Sequence, residues 1–159
     1  MLGARKPCDE LFQLVTMEGL VPEGHLLRRL KAVLDFSFVR LFVADRYSSV
    51  GRPSVDPEVV VRMWLLQHLY GLSERQICDE LRMHGGFRWF RGLSFNDDIP
   101  DQSTLVKLRN EKWAGCGLWE KVLQETVRAC EAAGICRPDR LALDNVFVER
   151  LWRSVKYEE

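Results

Sequence analysis

Apolar residues recur along most of the chain at intervals of three and four, the period of helices that bury one face. After Pro22 the stripe is Leu26, Leu27, Leu30, Val33 and Leu34, with Arg28, Arg29 and Lys31 outward. A second short helix carries Phe36, Val39, Leu41 and Phe42, and Tyr47 to Ser54 reads as a polar loop around Gly51 and Pro53. Asp56-Pro57 is a helix start, an N-cap acceptor followed by proline at the first helical position. From Glu58 to Tyr70 the next helix is apolar almost all round, interrupted by Arg62, Gln67 and His68, which predicts the centre of a bundle. Gly71 ends it. Ser73 and Gln76 form a capping box for a helix that turns Ile77, Cys78 and Leu81 inward. Gly85-Gly86 breaks that helix and opens an aromatic segment, Phe87 to Leu93. Asp101 caps a helix bearing Leu105, Leu108 and Trp113. A long amphipathic helix follows, with Leu118, Trp119, Val122, Leu123, Thr126, Val127 and Cys130 on one stripe, closed by Gly134. Beyond Arg137-Pro138-Asp139 the texture changes. Leu141 to Asp144 reads as a short buried strand, and Asn145 caps a last helix with Phe147, Val148, Leu151, Trp152 and Val155. The expected fold is all-α, a helical bundle containing a helix-turn-helix-like pair, plus a short C-terminal strand-helix stub.

The 159 residues suit one domain, or one plus a fragment. A content of 47% hydrophobic residues is too high for a disordered chain, and no run of about 18 apolar residues could span a membrane. The charged stretch Met1 to Glu10 lacks the apolar region of a secretory signal. Charge is balanced at 23 basic and 23 acidic side chains, which withholds the simplest argument for a nucleic-acid partner. The five cysteines, Cys8, Cys78, Cys116, Cys130 and Cys136, include no C-x-x-C pair, and the three histidines are scattered. No zinc set follows, and an odd, irregular count fits a reducing cytoplasm better than a disulfide framework.

Three groups of residues could carry recognition or chemistry. The helix pair at roughly 62–83 has the short glycine-containing turn that aims a second helix at a DNA major groove. Ser73, Arg75 and Gln76 would then be its exposed leading residues. Any antiparallel helix pair has such a turn, and Glu74, Asp79 and Glu80 would face phosphates unfavourably. The second group comprises loop and helix cations: Arg46 and Arg52, Arg88 and Arg91 around Trp89-Phe90, and Lys107, Arg109 and Lys112 on one broad helical face. The plain alternative is a solvated surface, with Trp89 and Phe90 in the core. The third is Asp144 with Glu149. Two-metal phosphodiester chemistry needs at least three acids on separate elements, and these two are five residues apart.

The ordered stretches Leu20-Val21-Pro22-Glu23, His25-Leu26-Leu27-Arg28 and Gly51-Arg52-Pro53-Ser54-Val55-Asp56-Pro57 belong together with Leu69-Tyr70-Gly71-Leu72-Ser73-Glu74-Arg75-Gln76. Phe87-Arg88-Trp89-Phe90 with Gly92-Leu93, and Ile99-Pro100-Asp101-Gln102-Ser103-Thr104-Leu105, complete the set. From about Leu20 to Trp113 the chain resembles the N-terminal domain of InsH-type insertion-sequence transposases, which usually have His where Gln102 stands. The tail from Asp144 to Glu159 resembles a different group, transposases with an integrase-like core. Asp144 matches the first triad acid of the former group and Glu149 the third acid of the latter, so a junction near Asp144 is implied.

The resemblance implies an N-terminal extended segment at 1–19 and a helical transposase domain at 20–134. Residues 135–159 become the truncated remnant of an RNase H-like DDE catalytic domain. On this expectation the protein is transposase-derived, binds transposon-end DNA weakly through Arg52, Ser73, Arg75, Gln76, Arg88, Lys107 and Arg109, and lacks strand transfer. It carries no cofactor of its own, Mg²⁺ being expected only for a complete DDE domain. The competing expectation is a protein-interaction module without a DNA role. The last helix's apolar side, Phe147 with Leu151 or Val148 with Trp152, needs a covering surface, and a second copy would provide one.

Overall fold

Asp56 and Pro57 start the helix around which the others are arranged. In a computed structural model that describes residues 14–135, the Asp56 carboxylate accepts the Glu58 N–H at 3.0 Å, and Pro57 occupies the first turn, where a missing N–H costs nothing. This central helix, α3, runs Pro57–Tyr70. Val61, Leu65 and Leu66 are fully buried, with Val60, Met63 and Trp64 nearly so, as expected for a helix with so narrow a polar face.

Before it come α1 (Leu26–Val33) and α2 (Phe38–Phe42), and after it α4 (Glu74–Met83), α5 (Gly85–Arg91), α6 (Gln102–Lys107) and α7 (Leu118–Ala132). The described residues contain seven α-helices and no strand, so the fold is all-α. Helix α3 packs on α2, α4 and α5; α4 also meets α5 and α6; α1 and α2 lean on α7. The stripe anticipated on α7 is the buried one, with Leu118, Val122, Leu123, Thr126 and Cys130 inside and Trp119 and Val127 half-buried. Stacked Trp64 and Trp119, centroids 4.7 Å apart, join α3 to α7, and Trp113 meets Trp119 edge-on at 5.8 Å.

Two features differ from the sequence reading. The break expected at Gly85-Gly86 falls one residue earlier, at His84: α4 ends at Met83, and the two glycines form the first turn of α5, which His84 caps by accepting the Phe87 N–H at 3.3 Å. Their missing side chains admit a neighbouring segment: a Cβ on Gly85 would stand 2.6 Å from Leu20 Cδ1, and one on Gly86 3.4 Å from Val21 Cγ2. That segment, a 3-10 turn at Glu18–Leu20, is latched to α5 through the Glu18 carboxylate, which accepts from Trp89 Nε1 and pairs with Arg28. Trp89 and Phe90 lie in the core, as the plain reading expected.

The second difference follows α6. Instead of continuing as an α-helix, the chain widens into a π-turn at Leu108–Lys112, with the Trp113 N–H donating to the Leu108 carbonyl at 2.9 Å. Leu105, Leu108 and Trp113 are all buried, and it is the wider turn that brings Trp113 to the same side as Leu108. The proposed strand at 141–144 and the last helix lie outside the described residues.

Candidate nucleic-acid interface

The α3–α4 corner is built by backbone chemistry. Gly71 closes α3 in the left-handed region at φ 64°, which lets the Leu72 N–H reach back to the Gln67 carbonyl at 2.8 Å. The capping box is complete: the Ser73 N–H donates to Gln76 Oε1 at 2.8 Å, and the Gln76 N–H to Ser73 Oγ at 3.2 Å. Ile77 is fully buried beneath the turn. Ser73, Arg75 and Gln76 therefore stand exposed at the leading end of α4. The cap engages the Ser73 oxygen and the Gln76 carbonyl, leaving the Gln76 amide N–H₂ and the Arg75 guanidinium to face outward.

Glu74 does not oppose a ligand here. It is turned to the π-turn, where Arg109 Nη1 meets its carboxylate at 2.7 Å. That ion pair ties the start of α4 to the segment after α6 and removes Arg109 from the cationic face expected of it. Lys107 and Lys112 stay together, and the π-turn is the reason. Residues five apart in an α-helix point about 140° away from each other, whereas i→i+5 bonding draws them toward one side. Lys112 Nζ lies 3.7 Å from the Tyr47 ring centroid. Further along α4, Asp79 pairs with Arg82, and Glu80 remains on the exposed face.

Arg88 requires a correction. It is 7% exposed and serves the fold: Nη1 donates to the carbonyls of Ser94, Phe95 and Asp97 at 2.8, 3.2 and 3.3 Å, knitting the loop after α5. Arg91, also expected in a loop, lies inside α5 at 3% exposure, and burial pulls its guanidinium down to about 10. Neither can reach a phosphate in this arrangement. Arg52 stands exposed in the loop between Tyr47 and Ser54. Which other groups that loop meets was not legible in the chain: Ser54 lines an open groove with Thr104, Lys107 and Lys112, and a second one with Tyr47, Arg40 and Asp56. Asp144 and Glu149 lie outside the described residues, and no helix among those described is long and apolar enough to cross a membrane.

Residues 15–111, more than half of the chain, match the family described as Transposase domain (DUF772). The chain belongs to that transposase domain family. Its matched span takes in the α3–α4 corner, the Arg52 loop and nearly all of the π-turn. The InsH-type resemblance anticipated membership at this coarser level. A curated relative described as uncharacterized protein ORF8 in the nfe locus of Rhizobium meliloti is 26% identical to this DUF772 chain over 132 residues. The alignment covers 82% of the chain but only 63% of the relative's length. No solved structure matches.

Proposed function

We propose that this DUF772 domain holds duplex DNA, specifically the ends of a mobile element, on behalf of metal-dependent carboxylate chemistry that its helices do not supply. The observation that carries the reading is the exposed leading end of α4, Ser73, Arg75 and Gln76, in a chain of a transposase family. A capped α4 offers a rigid edge, and Arg75 and the Gln76 amide are groups that read base edges or hold phosphates. The InsH-type kinship, the junction near Asp144 and the roles of Asp144 and Glu149 as remnant triad acids belong to the same proposal. So does weak binding, since the chain's balanced charge confines the attraction to local contacts.

Fluorescence anisotropy with terminal-repeat and random duplexes across a salt series tests this. About 4–6 phosphate contacts give a log–log slope of roughly −3.6 to −5.4. Arg75→Ala weakens binding while leaving the fold intact. Binding absent at low salt, or unchanged by Arg75→Ala and Gln76→Ala together, turns the reading toward the protein-interaction module.

A further inference from the structure

Glu74 opens α4 on the stripe that faces inward. Positions 74, 77, 78 and 81 share one helical face, and the last three hold Ile77, Cys78 and Leu81, all buried. A carboxylate on the first rung of that stripe needs a partner, and Arg109 of the π-turn supplies it at 2.7 Å. The two side chains are 15% and 27% exposed, so the pair is held largely out of water. Beside it runs a cleft with about 20 Å³ of free volume, walled by Trp64 and Gln67 of α3, Leu105 of α6 and Trp119 of α7. That volume admits about one water molecule and no larger ligand. Apolar walls strengthen the attraction between the two charges, and removing either one strands the other. The guanidinium is fixed further by Asn110, whose Oδ1 accepts from Arg109 Nε at 3.0 Å.

The pair constrains what the α3–α4 corner leaves free. Gly71, the capping box and Ile77 set how α4 leaves α3, all within a few residues of the turn. None of them fixes α4 against the segment after α6. Helix α4 also packs on α6, but apolar contact is non-directional, whereas a charge pair at 2.7 Å holds one arrangement. Glu74 stands directly before Arg75 and Gln76, so the tie acts where the outward groups begin. Hydrogen bonds to base edges weaken steeply with misalignment, while attraction to the phosphate backbone is long-ranged and independent of sequence.

We propose that Glu74 and Arg109 are positioning residues for the leading end of α4: joined to each other, they aim Arg75 and Gln76 at base edges and touch no DNA themselves. This rests on the DNA-binding reading and deepens it by assigning the source of its sequence discrimination. The expected signs differ from those of the ordinary electrostatic roles. An Arg109 that held a phosphate would make the log–log salt slope shallower by about 0.9 when removed, and a Glu74 that merely repelled the backbone would strengthen binding when neutralised.

The test measures anisotropy of the full chain with a terminal-repeat duplex and with a random duplex. The ratio of the two affinities is the readout, because any loss of folded protein lowers both alike and cancels. In Glu74→Gln the ratio falls roughly tenfold, the scale of one lost base contact, and terminal-repeat binding weakens although a negative charge has gone. Arg109→Gln does the same with its salt slope unchanged. The double variant loses no more than either single one, as expected of residues that act through each other. An unchanged ratio, stronger terminal-repeat binding in Glu74→Gln, a slope shallower by about 0.9 in Arg109→Gln, or additive losses in the double variant overturns the positioning role and leaves the DNA reading in place. Duplex binding without preference in the unmodified chain overturns it likewise. Absence of duplex binding by the unmodified chain overturns both.

Discussion

Arg91→Met stabilises the protein. The side chain is 3% exposed at the C-terminal end of α5, and its Nε and Nη1 have no hydrogen-bond partner. Burial is the largest cause of its depressed basicity, and nearby Arg88 adds like-charge repulsion, while Cys78 and Asp97 act in the opposite direction. The fall from the ordinary guanidinium range to about 10 corresponds to roughly 3 kcal/mol against the charged form at ~1.4 kcal/mol per unit. Methionine keeps most of the buried methylene contacts, fills irregular space and removes the charge. The expected net gain is about 1–3 kcal/mol. For an m-value near 2 kcal/mol/M this raises the urea midpoint by roughly 0.5–1.5 M. The sign with pH follows from linkage: a base whose folded-state affinity for protons is lowered costs stability in full below about 10, and the cost fades as pH climbs from there toward the ordinary guanidinium range. The methionine gain should therefore be equal at pH 6 and pH 8. A loss of stability in Arg91→Met, or a gain that changes between those two values, refutes the reasoning.

The neighbouring arginine behaves oppositely. Arg88→Met frees three loop carbonyls at Ser94, Phe95 and Asp97, and should lower stability by about 2–4 kcal/mol in the same urea assay. Gly71→Ala forces an alanine to φ 64° and costs roughly 1–2 kcal/mol, read as a lower thermal midpoint. Ser73→Ala removes one half of the capping box and costs about 1 kcal/mol, which hydrogen exchange should localise to the first turn of α4.

The fold was readable where periodicity and capping chemistry agree. Asp56-Pro57, Gly71 and the Ser73–Gln76 box are local devices whose physics does not depend on the rest of the molecule, and each sits where its residues direct. The glycines at 85 and 86 marked the end of α4, but their own cause is non-local: they make room for Leu20 and Val21, some sixty-five residues earlier, and a helix tolerates them once His84 caps it. The π-turn was overlooked for a different reason. Leu108 and Trp113 are five residues apart, about 140° around an α-helix, and share an inward face only across the wider turn, a spacing that the helical reading passed over. That one geometric change separates Arg109, drawn to Glu74, from Lys107 and Lys112. Arg88 and Arg91 show the limit most plainly. Arginine is an outward residue by default, and only the packed loop reveals that one of them is a carbonyl clamp and the other a buried charge.

The central claim, that this transposase-family helical domain holds DNA, is tested most directly by the salt dependence of duplex binding. Anisotropy measured between about 50 and 200 mM salt should give a log–log slope of roughly −3.6 to −5.4, as expected for 4–6 phosphate contacts, with a shallower slope in Arg75→Ala. A slope near zero, or no binding at the lowest salt, contradicts the account.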